Sequence, residues 1–198
     1  MKMILLTGFL GSGKTTAMLS LADYLSRSYN PKSIVIIENE IGEANVDGAL
    51  LAESAYEVRD LTSGCICCTL SGQLIAALEE IRRNLKPEWL LIEATGIAHR
   101  TIADIIGQSI PGLKPFSIVL ADAQRWAELM ENLPMLITTQ VENANVVLIN
   151  KIDAVSPDEL ALVEEEVQEI TSCPCFKTSI QNADLGGLWE KVVACAVS

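Results

Sequence analysis

Near the start of the chain, Thr7-Gly8-Phe9-Leu10-Gly11-Ser12-Gly13-Lys14-Thr15-Thr16 combines glycines, a lysine and hydroxyls in a spacing suited to holding phosphate. Gly8, Gly11 and Gly13 permit backbone torsions that a Cβ forbids, so successive N–H groups, with those of Ser12 and Thr16, can converge on phosphate oxygens at a helix N-terminus. Lys14 would neutralise β- and γ-phosphate charge, and the Thr15 hydroxyl would ligate Mg²⁺. The context fits this chemistry. The apolar run Met3-Ile4-Leu5-Leu6 precedes the loop, and Met18, Leu21, Ala22 and Leu25 mark one helical face after it.

Three further segments carry groups that suit a bound nucleoside triphosphate. Asn150-Lys151-Ile152-Asp153 follows the apolar run Val146 to Ile149. A carboxylate such as Asp153 can accept from both guanine N1–H and the exocyclic amine, a donor pair absent from adenine, which favours GTP over ATP. Glu93-Ala94-Thr95-Gly96 follows Trp89 to Ile92. Glu93 can reach the Mg²⁺ water shell or an attacking water, and the Gly96 N–H can meet the γ-phosphate; the alternative is that Glu93 caps the next helix. Glu38-Asn39-Glu40-Ile41-Gly42-Glu43, continuing to Asp47 and Gly48, reads either as a switch loop, with Asp47 on the Mg²⁺ side, or as a solvated acidic loop.

Gly64-Cys65-Ile66-Cys67-Cys68 places three soft ligands in one loop, able to bind Zn²⁺ or a similar ion as thiolates. Three thiolates, or two with a carboxylate from Glu38 or Glu43, leave a tetrahedral position open, and an open position suits a metal that is handed on. Buried or redox-reactive thiols without metal are the competing reading. Cys173 and Cys175 flank Pro174 and read as packing residues, as does Cys195. His99, the single histidine, stands close to the Glu93 loop.

These segments need a scaffold, and the apolar pattern supplies one. Short branched runs at Ile34 to Ile37, Trp89 to Ile92, Ile118 to Ala121 and Val146 to Ile149 read as strands buried on both faces, with weaker strands at Tyr56 to Asp60 and Cys175 to Thr178. Helical faces alternate with them, for example Leu74, Ile75, Leu78 and Ile81, then Leu160, Val163, Val167 and Ile170, then Leu185, Leu188, Trp189, Val192 and Val193. Residues 1–198 therefore read as a single domain, a three-layer α/β P-loop nucleoside-triphosphatase fold. Its mostly parallel sheet is covered by helices on both faces, with ligands beyond the carboxyl ends of the strands.

Composition narrows the partners. A net charge of −12 argues against nucleic-acid or anionic-membrane surfaces, and no run approaches the ~20 apolar residues of a membrane span. The expected location is cytoplasmic, where six cysteines are not expected to form a disulfide framework.

The ordered set Gly8 to Thr16, Glu38 to Glu43, Gly64 to Cys68, Glu93 to Gly96 and Asn150 to Asp153 resembles the CobW/cobalamin-synthesis family of metal-chaperone GTPases, relatives of the urease and hydrogenase maturation GTPases. The resemblance runs from residue 3 to about residue 180. It implies slow GTP hydrolysis coupled to binding of a transition metal and its transfer to a client protein, with Zn²⁺ or Co²⁺ foremost and Ni²⁺ or Fe²⁺ open. It also implies Glu38, Cys67 and Cys68 as metal ligands, with Cys65 the natural third thiolate. Family members usually continue into a C-terminal domain, often histidine-rich, whereas this chain stops at Ser198. Docking and loading are then expected to rest on the GTPase domain, a separate protein or a homodimer partner. Where relatives carry an acid followed by proline after the Gly96 position, this chain has His99-Arg100, a departure from the loop geometry that the resemblance implies; the pair could supply an extra ligand and a cation near the γ-phosphate. Two rivals remain: a nucleotide-gated metal buffer or sensor without turnover, and a P-loop kinase acting on a small molecule.

Overall fold

The computed structural model describes residues 1–30, 33–38, 57–60, 71–94, 99–182 and 184–197. Seven strands, β1 (Lys2–Gly8), β2 (Ile34–Glu38), β3 (Glu57–Asp60), β4 (Trp89–Glu93), β5 (Pro115–Asp122), β6 (Val146–Asn150) and β7 (Cys175–Lys177), form one sheet in the order β3-β2-β4-β1-β5-β6-β7. All their pairings are parallel. Among the described residues the helices are α1 (Lys14–Ser28), α2 (Ser71–Asn84), α3 (His99–Ser109), α4 (Trp126–Asn132), α5 (Pro134–Glu142), α6 (Pro157–Ile170) and α7 (Gly186–Val197), with 3₁₀ turns at Ala123–Arg125 and Ile152–Ala154. Among the described residues, no helix is long and apolar enough to cross a membrane.

The continuous apolar runs are explained by two-sided burial. Successive strand residues point to opposite faces, and here both faces are dry. Ile4, Leu6, Ile36, Leu91, Ile118 and Leu148 pack under α1 and α7. Met3, Leu5, Ile37, Leu90 and Ile92 pack under α2 and α3, while Val119, Ala121, Val147 and Ile149 meet α4, α5 and α6. The expected three-layer parallel α/β arrangement is what the chain adopts.

Individual elements follow from local chemistry. Ser156 starts α6 with a capping box, its hydroxyl accepting from the Glu159 N–H at 3.2 Å while the Glu159 carboxylate accepts from the Ser156 N–H at 2.8 Å. Trp189 is 1% exposed, and its indole N–H donates to Ser20 Oγ at 2.9 Å, tying α7 to α1. Burying a side chain of that size contributes about 2–3 kcal/mol. Cys195 packs against this layer and Cys173 and Cys175 against the α6 layer, as expected, with burial pushing the Cys175 thiol up to about 11. Only Cys175 of that pair lies on the strand.

The strand order puts β1 between β4 and β5, so the chain leaves β1 where the sheet's connections turn to opposite sides. Such a switch point opens a crevice at the strands' carboxyl ends. Gly8, Glu93, Asp122 and Asn150 all terminate their strands at that edge. The register sets Leu6 beside Glu93, Gly8 beside Leu120, and Asp122 beside Asn150.

Candidate functional site

Gly8 and Gly13 show why the loop between β1 and α1 needs glycine. Gly13 has φ 96°, and a Cβ there would sit 2.7 Å from Asn150 Nδ2; at Gly8, φ 149°, it would sit 2.6 Å from the Leu120 carbonyl oxygen. The backbone can therefore pass close to β5 and β6. Ser12 N–H donates to the Phe9 carbonyl at 3.1 Å, and α1 begins with Ala17 N–H to the Gly13 carbonyl at 2.9 Å.

Lys14 is 8% exposed and lies across this loop, its Nζ 3.2 Å from the Phe9 carbonyl and 3.9 Å from Glu93 Oε1. Thr15 Oγ1 donates to Glu93 Oε2 at 3.0 Å. Glu93 thus faces the phosphate-type loop. A hydroxyl and a buried carboxylate side by side are hard oxygen donors of the kind that hold Mg²⁺, usually with several waters retained.

At the other end of the crevice Asn150 acts as a brace. Its Nδ2 donates to the Ser12 carbonyl at 2.8 Å, and its Oδ1 accepts from Ile180 N–H at 3.0 Å, so β6, the β1–α1 loop and the segment after β7 are locked together. Lys151 adopts a left-handed backbone, φ 63°, uncommon for a residue with a Cβ. Its ammonium meets Asp122 Oδ2 at 2.7 Å, and the other oxygen of Asp122 accepts from Gln124 N–H at 3.2 Å. Asp153 accepts from the hydroxyl of Ser179 and, at 2.8 Å, from Asn182 Nδ2. The Ser179 hydroxyl first, then Asp153's own N–H and the Asn182 amide, hold this carboxyl below the usual carboxylate range against an opposing desolvation.

Between these groups lies a cleft of about 340 Å³, lined by Gly11, Gly13, Thr16, Asn150, Lys151 and Asp153 together with Gln124 and Ser179 to Gln181. That is within the usual size of small-molecule sites, roughly 300–1,000 Å³. The structure brings the glycine loop and the Asn150–Asp153 segment to one cavity, with Glu93 on the Lys14 side. Asp47, Cys65, Cys67, Cys68 and Gly96 lie outside the described residues. Glu38 is placed by its backbone at the end of β2, and His99 by its backbone at the start of α3.

Sequence reasoning missed Asp122, although an acid directly after the run Ile118 to Ala121 was a signal. It also missed Ser179 and Asn182, which follow the weakest strand. Arg125 is a further unforeseen neighbour: its Nη1 donates to the Leu10 carbonyl at 3.3 Å, and its guanidinium lies 5.7 Å from the Phe9 ring centroid while its Nε holds Glu128 at 3.1 Å.

Comparison with known proteins gives this geometry a context. The family model described as CobW/HypB/UreG, nucleotide-binding domain, matches residues 2–176. The zinc chaperone YeiR of Escherichia coli is 33% identical over 160 residues, spanning 78% of this chain and 47% of that protein. The zinc chaperone YjiA of the same organism is 32% identical over 197 residues, spanning 94% of this chain and 60% of that protein. The chain thus spans only about half the length of such curated relatives. Among solved structures, HypB from Helicobacter pylori in complex with nickel superposes with a TM-score of 0.65 at 18% identity, covering 100% of this chain and 87% of that one. That likeness concerns the fold.

Proposed function

Because this chain belongs to the CobW/HypB/UreG nucleotide-binding family, we propose that it is a guanine-nucleotide-dependent metallochaperone domain. In this reading it binds GTP and GDP, hydrolyses GTP slowly, and couples nucleotide state to holding and releasing a transition metal for a client protein. The observation that carries the nucleotide half is the single cleft shared by the glycine loop and the Asn150–Asp153 segment, braced by Asn150.

In this reading Gly8, Gly11, Ser12, Gly13 and Thr16 cradle phosphates through the backbone, and Lys14 neutralises their charge. Thr15 and Glu93 are the described oxygen donors that would hold Mg²⁺, which when bound supplies charge neutralisation at the phosphate oxygens; Asp47 is the further acid proposed for that side. Glu93 also stands where it can orient water, and the Gly96 N–H is assigned to the γ-phosphate. The Lys151 stem, with its ammonium fixed by Asp122, offers an apolar wall to a base, and Asp153 offers the acceptor pair that guanine requires.

The transported metal is assigned to Glu38, Cys65, Cys67 and Cys68. Relatives named zinc chaperones support Zn²⁺ as the first candidate, and thiolate-rich sites also take Co²⁺, Ni²⁺ or Fe²⁺. Backbone placement supports coupling: Glu38 and Asp60 end β2 and β3 at the same sheet edge as Glu93, with Ile37 in register with Ile92. The chain therefore enters both the acidic segment and the cysteine segment from the nucleotide edge.

Equilibrium binding and steady-state hydrolysis test the nucleotide half. GTP should be turned over in preference to ATP. Lys14→Ala should weaken GTP and abolish turnover, while Glu93→Ala should lower turnover about 10²-fold or more. Binding of GTP by the wild type without measurable turnover would leave only the buffer reading, and preference for ATP with phosphate transfer to a metabolite would restore the kinase reading.

A further inference from the structure

The segment after β7 returns two side chains to one carboxylate. Ser179 to Asn182 form a turn closed by Asn182 N–H to the Ser179 carbonyl at 2.9 Å. From its two ends, Ser179 Oγ donates to Oδ1 of Asp153 and Asn182 Nδ2 donates to Oδ2 at 2.8 Å. Between them Ile180 N–H is fixed to Asn150 at 3.0 Å, so the turn is anchored to β6 rather than floating on the surface.

Asp153 is exposed, and an aspartate's second torsion is broad and roughly two-fold. One hydrogen bond leaves the carboxyl plane free to swing; two, one on each oxygen, fix it. Each oxygen still has a lone-pair direction for a second donor. We propose that Asn182 is a positioning residue for purine discrimination: by holding the second oxygen of Asp153, it sets the carboxylate plane that pairs with the two donors of a 2-amino-6-oxopurine edge. The proposal rests on the nucleotide reading above. Its effect travels through the carboxylate, so it concerns recognition of the base edge and not grip on the phosphates.

Binding of GDP, IDP and ADP to the wild type, Asn182→Ala, Asn182→Asp and Lys14→Ala tests this. IDP lacks the exocyclic amine and offers one donor where GDP offers two. Asn182→Ala should lose about tenfold for GDP and about twofold for IDP, the scale of one hydrogen bond, so the GDP-to-IDP preference shrinks about fivefold. Asn182→Asp keeps the shape, removes the donor and should shrink it at least as much, whereas Lys14→Ala should weaken both nucleotides alike. An unchanged GDP-to-IDP ratio in both Asn182 variants would overturn the proposal, since a merely structural role weakens both ligands equally. A wild type that binds GDP and ADP equally would overturn the guanine reading beneath it instead.

Discussion

At the residue scale the site depends on ionised groups that have been given fixed partners. Asp122 is the clearest case, with a side chain 1% exposed beside a Lys151 side chain 31% exposed. A buried carboxylate is tolerated only with a cation and hydrogen bonds to replace water, and here Lys151 and the Gln124 N–H supply both. Removing the acid frees a lysine whose backbone sits in the left-handed region, and the wall of the cleft loses its anchor. Asp122→Ala should therefore weaken guanine nucleotide binding about tenfold and cost about 2 kcal/mol of stability, less than a fully buried pair because Lys151 keeps part of its side chain in water. Calorimetric titration with GDP and urea denaturation measure the two effects, and a variant with wild-type values for both would show that the pair orders nothing.

At the element scale, the strands were the most legible parts. Met3 to Leu6, Ile34 to Ile37, Trp89 to Ile92, Ile118 to Ala121 and Val146 to Ile149 could be read directly because both faces of a parallel sheet are buried, which turns each strand into an uninterrupted apolar run. α3, α4 and α5 were not read, since they span 11, 7 and 9 residues and offer too few turns to establish a period. The glycine loop and Asn150 to Asp153, which the structure brings to one cleft, could be singled out from the sequence because each motif is contiguous in the chain. Asp122, Ser179 and Asn182 were not, because their roles arise only when β5, β6 and β7 lie side by side. The capping box of α6 is local enough to test alone: Ser156→Ala should cost about 1 kcal/mol by urea denaturation without changing nucleotide affinity. A change in affinity with no change in stability would mean that α6 communicates with the cleft.

At the scale of the whole molecule, an acidic chain of net charge −12 places Lys14, beside Glu93, and the paired Lys151 at the carboxyl ends of one sheet. β2 and β3 end at that edge, and the segments carrying Asp47 and Cys65 to Cys68 begin from it. In the proposed function a nucleotide state that rearranges the Glu93 side of the cleft would bias metal binding, and thermodynamic linkage would make the influence mutual: if GTP tightens the metal, the metal tightens GTP by the same factor, typically about 1–3 kcal/mol. The central claim is this coupling, and its most direct test is an anaerobic competition titration of Zn²⁺ into the reduced protein with Mg²⁺ and either a non-hydrolysable GTP analogue or GDP, with Cys67→Ser alongside. Zn²⁺ affinity about tenfold or more higher with the GTP analogue, and lost in Cys67→Ser, is the predicted result. Equal affinity in the two nucleotide states would contradict it and leave a guanine-nucleotide domain whose cysteines serve another purpose.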